Sequence, residues 1–505
     1  MKALFVQPDQ LTTDTALFDG CSPDSCVVVM LESIEEFTRV PFHRQRLVLV
    51  FAAMRHFAEE LRDAGYTVEY HRCCGDPAGK LRETACAHSL DRARIMASAD
   101  WGASDRYRAL LEEAGLRVEG IPNDLFINTR QTKPVVLQRG RATRMETFYR
   151  KVRAATGLLM DGPEPAGGKW NYDHENRKPP ARGLESPPIP RFKPDAITRR
   201  VMEDVTAHFP KAFGRLDEFH WPVTRRDAQE LLDDFFQWRF PAFGDYQDAM
   251  VAGNDTLFHA LVSACLNIGL LDPEAVCREA ESHYRAGRVP LNAAEGFIRQ
   301  IAGWREFVYA LYRANMPGYD TLNHLEADMP LPGFYWSGET RMRCVAEALR
   351  PVLNSGLNHH IQRLMVTGNF ALLAGVRPQD LNDWYWLAYI DAWHWVVTPN
   401  VIGMAAHADG GLMASKPYAA SANYINTMSN YCKHCPYNPK TITGENACPF
   451  NALYWDFLDR HQARLARNPR MALSYRNLDR KDPAERRAIR KQADATRQAA
   501  LNDTL

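Results

Sequence analysis

The sequence predicts two folded parts, a doubly wound α/β domain with a parallel sheet at the N-terminus and a large all-α domain after it. Over residues 1–130, short apolar segments alternate with helical patterns, as expected when strands are buried on both faces. From residue 196 onward, apolar residues recur with helical period and strand patterns are nearly absent. Residues 131–195 between these parts are rich in proline, glycine and charge, which indicates an interdomain linker.

The α/β domain contains five predicted strands, which are Ala3–Val6, Cys26–Leu31, Thr67–Tyr70, Arg94–Ala97 and Leu116–Glu119. Its clearer helices, Arg46–Ala64 and Asp105–Ala114, each end before a glycine. Ligands of such domains bind at the carboxyl ends of the strands. Asp9, Gln10 and Glu32 follow two of these ends and are candidates for a small-molecule site, although helix capping is the commoner role for any one of them. No GxGxxG motif is present, so a dinucleotide site is not expected here.

The all-α domain is predicted from eight periodic segments, which are Arg226–Gln237, Leu257–Ile268, Pro273–Ala286, Ala293–Arg313, Cys344–Asn354, Ile361–Ala374, Asp380–Val396 and Asn446–His461. Residues 196–505 form this domain, and residues from about 336 to 460 are expected to hold a metal-binding region. The chain after Arg460 is rich in arginine and lysine and is predicted to form a pair of surface helices.

The linker is predicted to contain one helix near Arg144–Ala155. It also holds a basic strip, defined as the eight cations Arg130, Lys133, Arg139, Arg141, Arg144, Arg150, Lys151 and Arg153, with one acid among them. Such a strip is either a solvated face or a surface that contacts phosphates, and the residues alone do not decide between the two.

The composition is that of an ordinary soluble protein, with 46% apolar and 24% charged residues. Lysine and arginine number 61, as do aspartate and glutamate, so attraction to nucleic acid must come from local patches. No run of 18 apolar residues is present, and the first strand is too short and too soon interrupted for a signal peptide. We therefore expect no membrane span and a cytoplasmic location.

Three cysteines near the C-terminus have the spacing of metal ligands. Cys432 and Cys435 can face one metal from a single turn, and Cys448 follows after twelve residues. The fourth ligand is either His434, which would give a zinc site, or Cys344. A fourth cysteine is favoured because His434 sits inside the tight Cys432–Cys435 loop, so an iron–sulfur cluster is favoured over zinc. The other cysteines show no ligand spacing and are expected to be reduced thiols, and these are Cys21, Cys26, Cys73, Cys74, Cys86, Cys265 and Cys277.

Aromatic residues are concentrated near this centre. Six fall within twelve residues, and these are Trp384, Tyr385, Trp386, Tyr389, Trp393 and Trp395. Tyr335 and Trp336 precede Cys344. The group is either an ordinary core or a path for electrons.

Two further segments carry polar groups suited to chemistry. Trp304 and Arg305 are adjacent, about one turn after Gln300, and an indole beside a guanidinium suits a base or an aromatic cofactor. An amphipathic helix with a buried tryptophan is the alternative. His359 and His360 open a helix, where one of them can act as a general acid or base and the other as a hydrogen-bonded helix start.

Together, the segments Gly303–Phe307, His359–His360 and Asp391–Asn400 resemble the photolyase/cryptochrome family, in the order of its flavin-binding helical domain. The four cysteines resemble its iron–sulfur branch, which contains the bacterial (6-4) photolyases and related bacterial cryptochromes. The resemblance extends over essentially the whole chain.

The resemblance implies three cofactors. FAD is bound non-covalently in the helical domain, a [4Fe–4S] cluster is held by Cys344, Cys432, Cys435 and Cys448, and 6,7-dimethyl-8-ribityllumazine serves as antenna in the α/β domain, for which Asp9, Gln10 and Glu32 are the candidates. The implied activity is blue-light-driven electron transfer from reduced FAD to a (6-4) photoproduct flipped out of UV-damaged DNA. A monomer is expected, associated with the bacterial nucleoid when it binds DNA.

The resemblance also implies roles for individual residues. His360 is the proton donor, His359 is its neighbour, and Leu364 and Tyr418 line the lesion pocket. The residues that match the flavin-binding positions are Asp173, Arg177, His259, Ser263, Asn267, Gln300, Trp304, Arg305, Asp391 and Asn400. Trp336, Trp384 and Tyr385 are candidates for flavin photoreduction, and the basic strip is expected to contact DNA.

One position departs from the family pattern. Family members often carry a glutamate near the flavin N5, and the corresponding residue here is Val397. This departure favours the alternative of a cryptochrome-like photoreceptor that binds the same cofactors without repair. A third alternative is an iron–sulfur protein that binds nucleic acid without photochemistry, and the Gly303–Phe307 and Asp391–Asn400 segments argue against it.

Overall fold

The structure is a computed structural model that describes residues 1–38, 40–73 and 75–505. All ten cysteines within these ranges are free thiols, so no disulfide joins any pair of them. The expectation for Cys74 lies outside the described residues.

The N-terminal part is a five-stranded parallel sheet, and its strands lie within two or three residues of the predicted bounds. They are β1 (Lys2–Val6), β2 (Cys26–Ser33), β3 (Thr67–Cys73), β4 (Arg92–Met96) and β5 (Arg117–Ile121), in the order β3-β2-β1-β4-β5. The chain moves outward from β1 in one direction and then returns to its other side at β4. This reversal creates a crevice at the carboxyl ends of β1 and β4, the position where open α/β sheets bind ligands. The predicted doubly wound domain is confirmed.

Successive residues of β1 face opposite sides of the sheet, and the two sides have different cores. Ala3 and Phe5 join a small core that belongs to the α/β domain alone. Leu4 and Val6 join a large core that continues through the helix Arg44–Asp63 into the helical domain. The sheet and the helical domain therefore share one hydrophobic core.

Helices make up nearly all regular structure after β5. In the linker and the helical domain their bounds are Met145–Thr156, Ala196–His208, Arg225–Asp234, Phe235–Arg239, Phe240–Tyr246, Ser263–Asn267, Pro273–Arg285, Leu291–Ile298, Arg299–Arg305, Glu306–Asn315, Phe334–Ser337, Arg343–Ser355, Gln362–Gly368, Asn369–Ala374, Pro378–Ala388, His394–Thr398, Pro399–Ala405, Ala422–Met428, Pro449–Arg460, Gln462–Leu465, Ala472–Asp479 and Pro483–Leu501. The α/β domain adds Ile34–Thr38, Arg44–Asp63, Pro77–Ala87 and Ala103–Glu113. The predicted all-α domain is confirmed.

Four of these helical segments are π-helical, and three of them contain or adjoin candidate site residues. The π segments are Phe235–Arg239, Arg299–Arg305, Gln362–Gly368 and Pro399–Ala405. Such widened turns are frequent at functional sites because they redirect side chains from the regular helical spacing.

Two predicted helices are interrupted. The segment Leu257–Ile268 is helical only from Ser263, because Leu257 and Leu261 have left-handed backbones with φ of 41° and 64°. The segment Asp380–Val396 is broken between Ala388 and His394. In both cases tertiary contacts replace the helical ladder that the apolar periodicity predicted.

The basic strip is not one exposed face, which corrects the simplest form of that prediction. Arg153 is buried, and its guanidinium donates to the carbonyl oxygens of Leu158 and Leu159. Arg130 pairs with Asp272 at 2.5 Å. The other six cations of the strip are exposed or half-buried, so a smaller set than predicted is available to contact phosphates.

The C-terminal tail is more firmly attached than a pair of surface helices. The helix Pro483–Leu501 places Ala493 and Ala500 in the same hydrophobic core as the helix Pro449–Arg460. Its Ile489 is also buried. Arg497 adds an ion pair with the buried Asp456 of the helix Pro449–Arg460. No helix among the described residues combines the length and apolar composition needed to cross a bilayer.

Candidate active site and metal centre

Four cysteines from three separate segments line one small cavity. Cys432 and Cys435 lie on and just after the single turn Tyr431–His434, Cys448 directly precedes the helix Pro449–Arg460, and Cys344 comes from the helix Arg343–Ser355. Ala422, Ile425, Tyr431, Tyr437 and Phe450 complete the lining. The thiols thus surround a largely apolar space, and no three His, Cys, Asp or Glu side chains of the described chain are placed to hold a single ion.

The electrostatics of this cavity suit a cationic centre. Burial raises the pKa of Cys344 well above its usual value, and the charges of the other three thiolates raise it further. Burial also raises the pKa of Cys448 to about 12. The backbone N–H groups of Phe450 and Asn451 at this helix N-terminus favour the thiolate and lower that pKa, but their effect is smaller than that of burial. Four thiolates can therefore share the cavity only around positive charge, which a metal cluster supplies.

His434 does not take part in this cavity. Its side chain is exposed, and it is not among the lining residues, whereas Cys344 is. The tight turn directs His434 outward, as its position between the two cysteines suggested. The donor set is therefore four thiols, which fits a [4Fe–4S] cluster, and the Cys3His zinc alternative has no support in the geometry.

The second site is organised by Asp391 in the interruption between two helices. Arg363 donates to both carboxylate oxygens of Asp391 at 3.0 Å, and Ser263 donates to one of them at 2.7 Å. Asn267 donates to the Asp391 carbonyl oxygen at 2.9 Å. Three predicted flavin-binding residues, Ser263, Asn267 and Asp391, are thus brought together by direct hydrogen bonds.

His259 does not share a helix with Ser263 and Asn267, although all three lie in the predicted helix Leu257–Ile268. Because the helix begins at Ser263, the His259 ring instead stacks on His359 with centroids 4.5 Å apart. The His360 ring lies 5.8 Å from His259 and 6.0 Å from His359 in edge contacts. The structure therefore joins three predicted residues in one histidine cluster, which we define as His259, His359 and His360.

The members of the histidine cluster differ in their surroundings. Burial lowers the pKa of His259 to about 3, and burial together with the nearby His259 lowers the pKa of His359 well below its usual value. Both are therefore neutral at pH 7. His360 is 42% exposed, and its Nε2 lies 3.5 Å from the carboxylate of Asp248. Only His360 combines solvent access with an acidic partner, as a proton donor requires.

A network of charges connects the linker to the helical domain. Asp173 accepts a hydrogen bond from Arg177 and another from Arg299 at 2.8 Å. Burial opposes ionisation of Asp173, but Arg299 and Arg177 nevertheless hold the pKa of its carboxyl below the usual value. Arg299 also lies 3.4 Å from the buried Glu295. Asp173 and Arg177 are thereby positioned on the surface of the π-helical segment that contains Gln300 and Trp304.

Trp304 and Arg305 do not form one stacking surface, in contrast to the prediction from their adjacency. The Arg305 guanidinium lies over the rings of Phe126 and Trp395, at 4.3 and 5.2 Å, and pairs with Glu306 at 3.0 Å. The half-buried Trp304 packs edge-on against Phe307. Adjacent helical residues diverge by about 100°, so Arg305 reaches Phe126 and Trp395 while Trp304 packs on Phe307.

The remaining predicted residues are placed individually. Gln300 and Asn400 each donate to the carbonyl oxygen four residues earlier in their own helices, at 3.3 and 2.8 Å. Leu364 is half-buried beside the core that surrounds the thiols. Burial raises the pKa of the Tyr418 phenol, and the charges of Arg470, Glu146, Asp173 and Arg177 act on it. Tyr418 is therefore close to the linker, the helix Met145–Thr156 and the C-terminal tail at once.

Trp384 is the centre of a contiguous aromatic group. Its ring makes edge contacts with Tyr335, Tyr385 and Tyr389 at 5.0, 5.2 and 5.6 Å. The Tyr389 ring lies under the Arg363 guanidinium at 3.9 Å. This group therefore ends at the Arg363–Asp391 pair. Trp336 packs on Phe213, at 5.2 Å, and reaches the group through the adjacent Tyr335.

The three antenna candidates fall into two places. Asp9 and Gln10 lie in the crevice between β1 and β4, where burial and the charge of Asp100 raise the pKa of Asp9 to about 7. Glu32 is buried on β2, and its carboxylate accepts hydrogen bonds from Arg55 and Tyr70. Asp9 and Gln10 thus share a crevice, whereas the Glu32 carboxylate is already hydrogen-bonded to residues of the α/β domain.

Two residues of the site were not predicted from the sequence. Arg363 is the bidentate partner of Asp391, and Asp248 is the acidic neighbour of His360. A cation in the otherwise uncharged helical segment Ile361–Ala374, four residues after His359, was the available signal for Arg363. Asp248 has no local signal, because it is more than one hundred residues from His360 in the chain.

Comparisons with known proteins agree with this arrangement. Residues 4–221 match the family model of the deoxyribodipyrimidine photo-lyase-related protein. The chain is 42% identical to the (6-4) photolyase of Agrobacterium fabrum over 492 residues, which cover 96% of this chain and 97% of that protein. The chain belongs to the photolyase/cryptochrome family, in its iron–sulfur branch.

Solved structures of photolyase/cryptochrome proteins share the fold. The bacterial class III photolyase from Agrobacterium tumefaciens superimposes with a TM-score of 0.57 at 17% identity, covering 99% of this chain and 96% of the other. The cryptochrome of Synechocystis gives 0.59 at 13% identity, covering 99% and 98%. At these identities the likeness concerns the fold alone, and it extends over both domains.

Membership of this family implies a bound FAD, and the residues present fit one. Both ring nitrogens of His359 and Nε2 of His259 are buried without a hydrogen-bond partner in the described chain. Buried polar atoms are normally paired, so these nitrogens are available to a polar ligand. Membership of the branch implies an iron–sulfur cluster, and the four-thiol cavity fits that group.

Proposed function

We propose that the protein is a light-driven DNA lyase that repairs (6-4) pyrimidine photoproducts. The observation that carries the proposal is the histidine cluster, in which two neutral histidines support a third that has solvent access and an acidic partner. The 42% identity to the Agrobacterium (6-4) photolyase over nearly the whole chain supports the same substrate.

FAD supplies the light-driven electron transfer when it is bound. In the proposal, Ser263, Asn267 and Asp391 hold it from one side, and Asp173 and Arg177 close the linker over it. Arg363 holds the Asp391 carboxylate in a fixed orientation by two parallel hydrogen bonds. The group of Trp384, Tyr385 and Tyr389 leads from the core to this ion pair and is proposed to return electrons to the cofactor.

His360 is proposed to move the proton of the repair reaction. Its Nε2 faces Asp248, which is a partner for the protonated imidazole. His359 lies behind it and stays neutral because of its burial, so it can orient a ligand without competing for the proton. Tyr418 and Leu364 are proposed to line the pocket that receives the flipped-out lesion.

The two remaining cofactors follow from the same proposal. Cys344, Cys432, Cys435 and Cys448 are proposed to hold a [4Fe–4S] cluster. The crevice of Asp9 and Gln10 is the proposed site of the lumazine antenna, because its polar groups lie at the point where the strand order reverses. UV-damaged DNA is the partner, and a monomer with nucleoid association during repair is proposed.

A cryptochrome-like photoreceptor is the second candidate, and Val397 is the observation that favours it. Val397 is buried, so an apolar side chain stands where family members often have a carboxylate. The two candidates share cofactors and differ in whether DNA is changed by light.

Illumination of the reduced protein with defined DNA lesions tests the proposal. Blue light should convert an oligonucleotide with one (6-4) photoproduct to intact DNA, and it should leave a cyclobutane dimer in the same sequence unchanged. Restored DNA is measured by chromatography, with a dark reaction as control. Photoreduction of the flavin without repair of the (6-4) lesion would establish the photoreceptor instead.

A further inference from the structure

A loop near the C-terminus holds the segment that contains Tyr418. Asn468 donates to the carbonyl oxygen of Ser415 at 2.8 Å, and a guanidinium nitrogen of Arg470 donates to the Ser415 hydroxyl at 2.5 Å. Ser415 is followed by Lys416, and Tyr418 comes two residues later. The C-terminal tail is therefore fastened directly beside the proposed lesion pocket.

This loop brings cations together without neutralising them. Arg467 and Arg470 are exposed and Lys416 is half-buried, and none of the three has a carboxylate partner among the ion pairs of residues 1–38, 40–73 and 75–505. Burial lowers the pKa of Lys416, and so does the charge of the nearby Arg470. Lys416 and Arg470, whose charges act on each other, favour a bound anion, and Arg467 belongs to the loop that carries Arg470. We call these three residues the basic rim.

A second set of cations lies on the linker helix near Tyr418. The helix Met145–Thr156 contains the exposed Arg150 and Lys151, and its Glu146 is close enough to act on the Tyr418 phenol, as Arg470 is. Positive side chains of the linker helix and of the C-terminal tail thus both belong to segments near Tyr418. A duplex centred on the pocket would meet cations from both segments.

We propose that the basic rim of Lys416, Arg467 and Arg470 binds the sugar–phosphate backbone of DNA on the C-terminal side of the lesion pocket. The inference rests on the proposed function, because it takes DNA as the partner. Arg470 has two tasks in this proposal, which are to contact a phosphate and to hold the Ser415 segment. The rim contributes affinity that does not depend on sequence or on damage, because phosphates are the same at every step.

Binding of undamaged duplex DNA in the dark tests the rim without using repair. Arg470→Gln should weaken binding about three- to tenfold at moderate salt. The slope of log affinity against log salt should become shallower by the amount that about one phosphate contact contributes. The preference for lesion-containing over undamaged DNA should stay unchanged. The measurement is fluorescence anisotropy over a salt series, with iron and flavin content checked in each variant.

Two further variants separate the possible causes. Ser415→Ala removes the hydrogen bond from Arg470 but leaves the charge of Arg470 in place. The salt slope of this variant should therefore equal that of the wild type. Arg487→Gln removes an exposed arginine of the same tail and should leave binding unchanged. An unaltered slope in Arg470→Gln, or an equal loss in Arg487→Gln, would overturn the proposal. Absence of (6-4) repair alone would leave the rim intact and reject only the proposed function.

A different observation connects the thiol cavity with the Arg363–Asp391 pair. Tyr431 lines the cavity, and its hydroxyl accepts a hydrogen bond from Gln362 at 3.2 Å. The Asn358 side chain donates to the Gln362 side-chain oxygen at 3.2 Å. The backbone carbonyl oxygen of Asn358 accepts a hydrogen bond from Arg363 at 3.1 Å. An unbroken series of hydrogen bonds therefore runs from the cavity wall to the ion pair.

We infer that Tyr431 and Gln362 are positioning residues that tie the cluster loop to the flavin side of the helical domain. Gln362 is buried and directly precedes Arg363, so a change in its position moves the guanidinium that holds Asp391. Through this series the state of the cluster can alter the surroundings of the flavin without direct contact. The inference also rests on the proposed function, because it takes Asp391 as a neighbour of FAD.

The flavin midpoint potential is the readout for this inference. Tyr431→Phe should shift the potential in an anaerobic titration while iron content stays that of the wild type. Tyr437→Phe is the matched control, because Tyr437 lines the same cavity outside the series, and it should cause no shift. Gln362→Met should reproduce the shift although Gln362 does not itself line the cavity. Equal potentials in the wild type, Tyr431→Phe and Gln362→Met would reject the inference, whether or not repair occurs.

Discussion

Replacement of Cys344 by alanine is expected to remove the iron from the protein and to lower its soluble yield several-fold. Cys344 is the buried thiol that joins the helix Arg343–Ser355 to the other three thiols of the cavity, and it is a proposed ligand. Metal ligation in small structural sites contributes on the order of 10 kcal/mol to folding, and three remaining thiols cannot complete a [4Fe–4S] site. The measurements are iron per chain, absorbance near 400 nm and the thermal unfolding midpoint.

The matched control is Cys277→Ala. Cys277 is also fully buried, so its replacement creates a similar cavity, but it lies outside the four-thiol group. Its iron content should equal that of the wild type, with a modest loss of thermal stability. Wild-type iron in Cys344→Ala would show that another residue completes the site, and the exposed His434 would then need to be reconsidered.

Replacement of His360 by alanine is expected to reduce (6-4) repair by about 10²- to 10⁴-fold, the usual contribution of a positioned proton donor. FAD content and flavin photoreduction should stay close to wild type, because His360 is 42% exposed and contributes little to the core. The measurement is repair of a defined lesion after single light flashes, with photoreduction followed by absorbance in the same samples.

His434→Ala is the control for this variant, since His434 is exposed and distant in sequence from the histidine cluster. Its repair rate should match the wild type. A repair rate in His360→Ala within a factor of about two of the wild type would remove the proton-transfer role from His360. Loss of bound FAD would instead assign His360 to cofactor binding.

The local elements of this protein follow from its sequence because they depend on short-range periodicity. The strands β1 to β5 and the helices Pro273–Arg285 and Arg343–Ser355 lie close to their predicted bounds. Prediction failed where tertiary bonds replace helical ones. Asp391 interrupts a predicted helix because Arg363, Ser263 and Asn267 satisfy its polar groups from elsewhere in the chain.

Local sequence patterns also did not predict which charged side chains are buried. Arg153 looks like part of a basic strip, yet backbone carbonyl groups satisfy its guanidinium in the interior. Arg305 looks like a partner of Trp304, yet it packs on Phe126 and Trp395. Sequence records the charge of a residue, whereas only the packing of distant segments determines whether that charge meets solvent, a carboxylate or a ring.

The sequence by itself determined the two-part architecture, the cysteine spacing and, through resemblance, the family. The tertiary structure alone decided which distant groups complete each site, with Cys344 rather than His434 at the thiol cavity, Arg363 at Asp391, and Asp248 at His360. The physical reason is the distance along the chain over which each effect acts. Periodicity and turn chemistry act over a few residues, whereas a buried ligand set is assembled by packing that joins segments more than twenty residues apart.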